Sequence, residues 1–479
     1  MKILLVGATS YVGRRLEKRL LDEKDVSLRL LVKDARQVGD ETVKRTEILE
    51  GVLRDNEIIG KAVEGMDVVY YPIRLLGAAW EPEEFSRETV RKFRDICIAA
   101  GVKRLVYVGL RVAEHSSAER LGHVIETGNI LSEYPEKIQT AWLRVGVPLG
   151  SGSVLFELLR NIVGKIPVIL TSRWMDAKIN YVDTDDVVEY LVRVKDLTVK
   201  ENLIIDIGSE QMSFTEMLKD ASRLMGLKRV FVPFPFATNH LSSMLLMLAT
   251  PLSFRLSSVL IRALESGDIE LSGAAAVNAE RYFPAIAPMP FKNILRKAIH
   301  ELENDLVMSR WVDSLEKISY VSSEEDIAQA VFRDVRRMDF GDLSPDKIFR
   351  SIKSIGGREG WFTFDLLWRL RGFLDKLAGG YGTTMGKRAG LDLRVGDMLD
   401  VWKVVDLEEN RRLVLEAQMK VFGKAWLEFK IADHSLVQIA HHYPSGIIGR
   451  LYWYCMVPFH AVIFRDMIRS IIKQAREMP

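Results

Sequence analysis

Cysteine is scarce in this sequence. Its 479 residues include two, Cys97 and Cys455, too few and too distant for a disulfide framework. Such usage points to a reducing compartment and a cytoplasmic protein. Net charge is also nearly absent: 67 lysines and arginines face 65 aspartates and glutamates, a formal +2. No broad field therefore favours nucleic acid or an anionic membrane as the main partner. Long apolar runs are missing too. "LSSMLLMLATPLSF" (241–254) and "LYWYCMVPFHAVIF" (451–464) fall short of the roughly 20 residues that span a bilayer. Each contains a proline, and both read as buried or ligand-lining helices, so no membrane span is expected. The N-terminus shows none of the extended apolar core or small-residue cleavage site of a signal peptide.

What is present is enough apolar material, 48% of residues, for two or three domains. Up to about residue 200, strand patterns such as "KILLVG", "VSLRLLVK", "DVVYYPI", "KRLVYVGL" and "QTAWLRVG" alternate with helical ones. Near-continuous apolar strands separated by helices predict an α/β fold, a doubly wound, Rossmann-like parallel sheet covered on both faces. Residues 205–300 predict a smaller, mostly helical lobe. It opens on "SFTEMLKDASRLMG", where Ser213 and Glu216 have the spacing of a capping box. The domains expected are residues 1–305 with that lobe, a connector at 306–329, and a C-terminal α+β domain at 330–479. In the last, "DMLDVWKVVDL", "RRLVLEAQM", "AWLEFKI" and "LVQIAHHYP" predict an antiparallel meander. A long C-terminal helix follows, which Pro458 kinks or whose main portion it starts.

The chemistry is concentrated in "ILLVGATSYVG", which reads as strand, tight turn and helix. Such a turn aims backbone N–H groups at a pyrophosphate. Gly7 and Gly13 occupy the first and last glycine positions, and Ser10 replaces the middle one. The Ser10 Cβ adds bulk near the phosphates, while its hydroxyl can donate to them. Gly7, Thr9, Ser10, Tyr11, Val12 and Gly13 are the candidate phosphate-turn residues. Some 20 residues beyond, "LLVKDAR" places Lys33 and Arg36 where a 2′-phosphate would sit, favouring NADP. Asp34, an acid able to hold a ribose hydroxyl, keeps NAD open.

Together with "VVYYPI", "AAGVKRLVYVGL", "WLRVGVPLGSGS" and "INYVDTDDVVEYL", these motifs resemble an atypical, extended short-chain dehydrogenase/reductase. The resemblance is to the NAD-dependent epimerase and NmrA-like kind, over about residues 1–300. It implies a nicotinamide cofactor and adds Pro72 and Gly146 to its candidate contacts. The whole chain resembles bacterial proteins that fuse such a domain to a C-terminal domain of unknown function, marked here by "GWFTFDLLWRLRGFLDKLAGG", "GDMLDVWKV", "AWLEF" and "GRLYWYCMVPFH". That second domain is similar to the START and polyketide-cyclase helix-grip folds, which implies an apolar small-molecule ligand.

Three departures from that family stand out. Ser10 is one. Val52, after Gly51, replaces an aspartate expected near adenine, although Asp55 is close. Aligning "GHVIETGNIL" to the catalytic helix puts Arg120 at the tyrosine and Val124 at the lysine of the usual acid–base pair, and no Tyr-x-x-x-Lys occurs in the chain. Valine and a permanently charged arginine cannot do that proton work. The nearby substitutes are Tyr107, expected in the core, and His115, Ser116, Ser117, His123 and Glu126.

In the C-terminal domain, a cavity lined by Trp402, Val404, Trp426, Phe429, Tyr452, Trp453 and Phe459 is expected between sheet and helix. Its candidate polar groups are Asp400, Glu416, Glu428, His441 and His460. His441 and His442 adjoin on a strand and face opposite sides, which argues against a joint metal site. "AGGYGTTMGKR" (378–388) reads as a loop at the cavity mouth. Three functions stay open: a non-catalytic NADP-binding sensor of an apolar ligand, an NADP-dependent oxidoreductase or epimerase with unusual acid–base groups, and a structural protein with an unused cofactor fold. Oligomeric state is open as well.

Overall fold

The computed structural model describes residues 1–71, 86–111, 119–234, 238–266, 275–314, 330–356, 393–419 and 421–478. It also describes residues 327, 360, 361, 371, 372, 375, 376, 387 and 388, with 119–122 and 275–278 by backbone alone. Contacts divide the chain into two compact units. The first comprises Met1–Thr250 and Phe254–Leu315, the second Glu316–Pro479 with Pro251–Ser253.

The first unit is built on a seven-stranded parallel sheet. Its strands are β1 (Lys2–Val6), β2 (Ser27–Val32), β3 (Glu47–Glu50), β4 (Val68–Tyr70), β5 (Arg104–Leu110), β6 (Gln139–Val145) and, after three short strands, β10 (Leu203–Ile207). Those short strands are β7 (Val147–Leu149), β8 (Val168–Thr171) and β9 (Lys178–Asp183). With β11 (Gln211–Ser213) and β12 (Val230–Pro233) they form two minor sheets, β11-β9-β7 and β12-β8. The main order is β10-β6-β5-β4-β1-β2-β3. It reverses between β1 and β4, which opens the crevice where open α/β sheets bind ligands.

The helices are α1 (Tyr11–Leu21), α2 (Asp40–Arg45), α3 (Asn56–Val63), α4 (Arg87–Ala99), α5 (Glu119–Leu131), α6 (Val154–Lys165) and α7 (Thr184–Val194). Beyond them come α8 (Phe214–Leu224), α9 (Asn239–Ala249), α10 (Phe254–Glu265), α11 (Ala275–Tyr282) and α12 (Phe291–Glu303). Alternate residues of the same strands feed two cores. Ile3, Leu5, Tyr70, Val106 and Leu143 pack with α1 and α7 on one face. Leu4, Val69, Leu105, Tyr107 and Trp142 pack with α3, α4 and α5 on the other. This is why β5 is buried at every residue and carries almost no polarity. The Ser213–Glu216 capping box forms as spaced. The expected helical lobe needs one correction. Leu203–Ile207, at its leading edge, is an edge strand of the main sheet, hydrogen-bonded to β6, because Ile205 and Ile207 are needed in its core.

Among the described residues, the second unit has a six-stranded antiparallel sheet with two long helices on one face, and residues 371, 372, 375 and 376 are helical as well. The strands are β13 (Phe332–Asp339), β14 (Met398–Leu399), β15 (Trp402–Glu408), β16 (Arg412–Ala417), β17 (Gly423–Ala432) and β18 (Ser435–Pro444), ordered β13-β18-β17-β16-β15-β14. Helices α13 (Pro345–Ser354) and α14 (Gly446–Glu477) are tied by a Ser351 hydroxyl that donates to the Ile471 carbonyl at 2.8 Å. Pro458 lies inside α14, a single 32-residue helix, and does not start it. The expectation that 451–464 is buried or ligand-lining holds for one side of the segment, where Tyr452, Trp453, Met456, Phe459, His460, Ile463 and Phe464 line a cavity, and fails for the other. Trp453, Ile463 and Phe464 are buried, but Leu451, Tyr454, Val457, Phe459 and Val462 are exposed. Only the side of the helix facing the sheet is covered by it.

Candidate functional site

At the end of β1 the chain turns through Gly7, whose φ of 83° lies in the left-handed region that glycine tolerates. The Ser10 amide donates to the Gly7 carbonyl at 3.0 Å. The Ser10 hydroxyl oxygen accepts the Gly13 amide at 3.0 Å, so Ser10 is the N-cap of α1. A Cβ at Gly13 would stand 2.1 Å from the Gly7 carbonyl oxygen, so only glycine lets helix and strand meet there. Tyr11 and Val12, the first two helical residues, carry N–H groups with no intrahelical acceptor. The Ser10 oxygen, as an acceptor, keeps its proton for another partner. Arg14, which the sequence reading passed over, braces the turn by donating from Nε to the Thr9 carbonyl at 3.2 Å.

A buried polar network holds this turn from behind. The Tyr11 hydroxyl donates to the Ser151 carbonyl at 3.0 Å and lies 3.1 Å from the Thr184 hydroxyl; burial pushes its pKa up. Arg15 is buried. It donates to Asp185 at 2.9 Å, the Ser309 hydroxyl at 3.1 Å and the Ser151 carbonyl at 3.0 Å. Lys297 of α12 bridges Asp183 at 2.9 Å and Asp185 at 2.5 Å. Burial works against its ammonium, yet these two carboxylates hold its pKa above the ordinary lysine value. Asp186, half-buried and near Asp183, is raised to about 6, chiefly by burial. The acids of "VDTDDVV" thus anchor α7 to α1 and α12.

After β2, Asp34 caps a short turn and pairs with Arg36, Nη2 to Oδ2 at 2.8 Å. Lys33 adjoins them. The two cationic candidates and the acid therefore share the end of the strand beside β1. Asp55 caps α3 by accepting the Glu57 and Ile58 amides at 3.1 and 3.2 Å. A Cβ at Gly51 would stand 2.4 Å from the Ile58 side chain.

On the α5 side, Tyr107 is buried and donates from its hydroxyl to the Val124 carbonyl at 3.1 Å; burial drives its pKa far up. A Cβ at Gly109 would stand 2.6 Å from the Val124 side chain. His123 and Glu126 are one turn apart on α5, with Nδ1 3.6 Å from a carboxylate oxygen. Gly146 follows β6 and donates to the Ile207 carbonyl at 2.8 Å. With Gly208 it leaves room for Asn180, whose Oδ1 would lie 2.5 Å and 1.8 Å from Cβ atoms built there. Beside it is an ion triad the sequence reading missed. Asp206 of β10 accepts Arg144 of β6 at 2.5 and 2.8 Å, with Arg111 at 3.5 Å. Its trace in the sequence is charge inside apolar strands, "WLRVG" and "IIDIG". Pro72, His115, Ser116 and Ser117 lie outside the described residues, and Arg120 is described by backbone alone.

The second unit holds a cavity of about 240 Å³ between β-sheet and α14. Trp402, Trp426, Tyr452, Trp453 and Phe459 line it, as do His441 and His460. Val404 and Phe429 are core residues instead. Among the polar candidates, Asp400 accepts the Trp361 indole N–H at 2.9 Å. Glu428 joins Arg412 and His441, each at 2.8 Å, and Glu416 does not line the cavity. His442 was missed. It stacks on Trp453 at 5.7 Å and meets the Gly449 carbonyl through Nε2 at 3.3 Å. Among the described residues, its buried Nδ1 meets no hydrogen-bond partner, nor does that of His460. Burial lowers His442 and, with opposing help from Asp334, brings His460 to about 4. Both are neutral at pH 7. Of "AGGYGTTMGKR", Lys387 and Arg388 are described; Arg388 pairs with buried Asp397 at 2.9 Å.

Comparison with known proteins divides the chain the same way. Residues 7–141 match an NAD(P)H-binding family, and residues 327–467 match a family described as a protein of unknown function, DUF2867. The photosystem II assembly factor Ycf39 of Guillardia theta is 24% identical over 241 residues, 49% of this chain and 74% of that protein. An uncharacterised sugar epimerase, YhfK, of Bacillus subtilis is 23% identical over 222 residues, 46% of this chain and 99% of its own. Among solved structures, the Citrobacter sp. triphenylmethane reductase complexed with NADP(H) superposes with a TM-score of 0.52 at 17% identity. It covers 62% of this chain and 100% of the reductase. A Staphylococcus aureus nucleoside-diphosphate-sugar epimerase gives 0.51 at 14%, with the same coverage. The N-terminal unit has the fold of a nicotinamide-cofactor domain, and the C-terminal unit is a separate fused domain.

Proposed function

We propose that this protein binds NADP(H) in its N-terminal unit, without the usual tyrosine–lysine acid–base chemistry, and holds an apolar small molecule in its C-terminal unit. The observation that carries the reading is the β1–α1 turn, where a left-handed Gly7, a capping Ser10 and a Gly13 that admits no Cβ leave helix N–H groups directed at an anion. Lys33 and Arg36 supply positive charge at the adjacent strand end and support NADP over NAD. The bound cofactor would supply hydride chemistry. The chain's own residues seat its phosphates at the turn and its adenosine ribose near Lys33.

Val124 stands where the lysine of the usual pair would be, with its side chain against Gly109. Tyr107 is committed to a backbone carbonyl. These contacts favour a cofactor that is held over one turned over by that route. In the second unit, aromatic walls joined by two neutral imidazoles suit an apolar ligand with a hydrogen-bond donor. Calorimetric titration of the full chain with NADPH and NADH, together with mass spectrometry of what copurifies, tests the proposal. Tighter NADPH binding is expected. Tighter NADH binding overturns the preference, absence of binding by either overturns the cofactor reading, and rapid NADPH oxidation against a panel of aldehydes, quinones and sugar nucleotides overturns the non-catalytic part.

A further inference from the structure

Helix α14 changes character along its length on one face. Over residues 446–464 its outward positions are Ile447, Ile448, Leu451, Tyr454, Val457, Phe459 and Val462, all exposed. At 3.6 residues per turn, Ile447, Ile448, Leu451, Tyr454 and Val462 fall on one stripe, with Val457 and Phe459 at its two edges. Ile447, Leu451 and Tyr454 are 76%, 59% and 64% exposed. Phe422 and Tyr443, at the adjoining ends of the sheet, widen the patch. From residue 465 onward the same outward track is Arg465, Arg469, Lys473 and Arg476. Its acids are Asp466, 3.9 Å from Arg469, and Glu477, 3.9 Å from Lys473. Between Gly446 and Arg465 there is no acidic residue at all.

We propose that this face of α14 docks on an anionic lipid surface, with the stripe 447–462 inserted among the acyl chains and the basic track against the headgroups. An apolar stripe continued along the same track by lysine and arginine suits a helix that enters the surface obliquely, with its apolar N-terminal half inserted and its basic half at the headgroups. A second copy of the chain fits less well: antiparallel overlap of the two 447–462 stripes leaves each basic track, Arg465 to Arg476, beyond the overlap, with no acid of the other stripe to meet it. Spanning the bilayer fits less well again. The helix is long and apolar enough to cross by length and composition. However, its inward residues Trp453, Ile463, Phe464 and Met467 belong to the core of the second unit, and spanning would strip them from it. Phe459 is both exposed and part of the cavity wall, so the cavity adjoins the docked face. The docking stands whether or not the cavity or the cofactor turn is occupied.

The test is cosedimentation of the full chain with vesicles of equimolar phosphatidylcholine and phosphatidylglycerol, and with vesicles of phosphatidylcholine alone. Binding is expected to the first and to fall at least about tenfold for the second or in high salt. Ile448→Glu with Leu451→Glu should abolish it, and Arg469→Gln with Lys473→Gln should weaken it on the anionic vesicles only. Because these side chains are exposed, the unfolding midpoint should hold, and circular dichroism verifies it. Absence of pelleting with both vesicles, or pelleting unchanged by the double glutamate variant, overturns the proposal. So does a dimer in sedimentation equilibrium that this variant dissolves, since a second copy would then cover the stripe.

Discussion

The Ser10 hydroxyl oxygen accepts the Gly13 amide at 3.0 Å, so the residue that looks foreign in the phosphate turn is the one that starts its helix. Ser10→Gly should therefore cost only a few tenths of a kcal/mol and leave NADPH affinity within about twofold, whereas Ser10→Ala should cost about 1 kcal/mol. Gly13→Ala should be far worse, because its Cβ would meet the Gly7 carbonyl. Denaturant unfolding and calorimetric titration of the three variants separate cap from cradle.

Asp34 engages the guanidinium of Arg36. Removing the acid should release that charge toward a 2′-phosphate. Asp34→Ala is expected to strengthen NADPH binding about threefold or more, and Arg36→Ala to weaken it about tenfold while leaving NADH nearly unchanged. Paired titrations with the two cofactors give the ratio directly, and equal effects on both would reject the assignment.

Asp185 serves Arg15 and Lys297 together. Asp185→Asn should destabilise the first unit by about 1–2 kcal/mol: it leaves the buried Arg15 guanidinium short of its counter-charge, while the half-exposed site lets water make up part of the loss. The measurement is the urea midpoint at constant m-value. A shift below about 1 kcal/mol would mean that the site hydrates on losing the acid.

His460 titrates at about 4 in the folded chain, against about 6.5 when unfolded. A depressed histidine contributes stability that is complete above the unfolded value and is lost as pH falls from about 6.5 to about 4, on the order of 2–3 kcal/mol. Asp334, Arg336 and His442 face it. His460→Phe should flatten this limb of the stability–pH curve without altering the plateau slope near pH 8. Tryptophan fluorescence during chemical unfolding at several pH values follows it.

The strand, tight turn and helix at residues 3–13 were legible because their requirements are local. Gly7, Ser10 and Gly13 answer to backbone angles and one cap, all within seven residues. The capping box at Ser213 was legible for the same reason. Pairings across the fold were not. Asp206 with Arg144 spans 62 residues, and nothing beside either residue in sequence announces the other. Strand β13 escaped because Asp334 and Arg336 share its inner side with Phe332 and Met338, which blurs the apolar alternation that marks a strand. The outward stripe of α14 was misread for a different reason. Hydropathy reports that Leu451 and Val462 are apolar, not whether anything in the chain covers them.

Ser309 donates to the Tyr11 carbonyl at 2.8 Å and receives Arg15 at 3.1 Å, while Trp311 donates to the Gly152 carbonyl at 2.9 Å. The first helix of the protein is thus sealed by residues made some 300 positions later. During synthesis, when domains form from the N-terminus onward, strands β1 to β6 can assemble early. The buried guanidinium behind the β1–α1 turn gains its last partner only after Ser309 has left the ribosome, so the nascent chain carries an unfinished first turn through most of its translation.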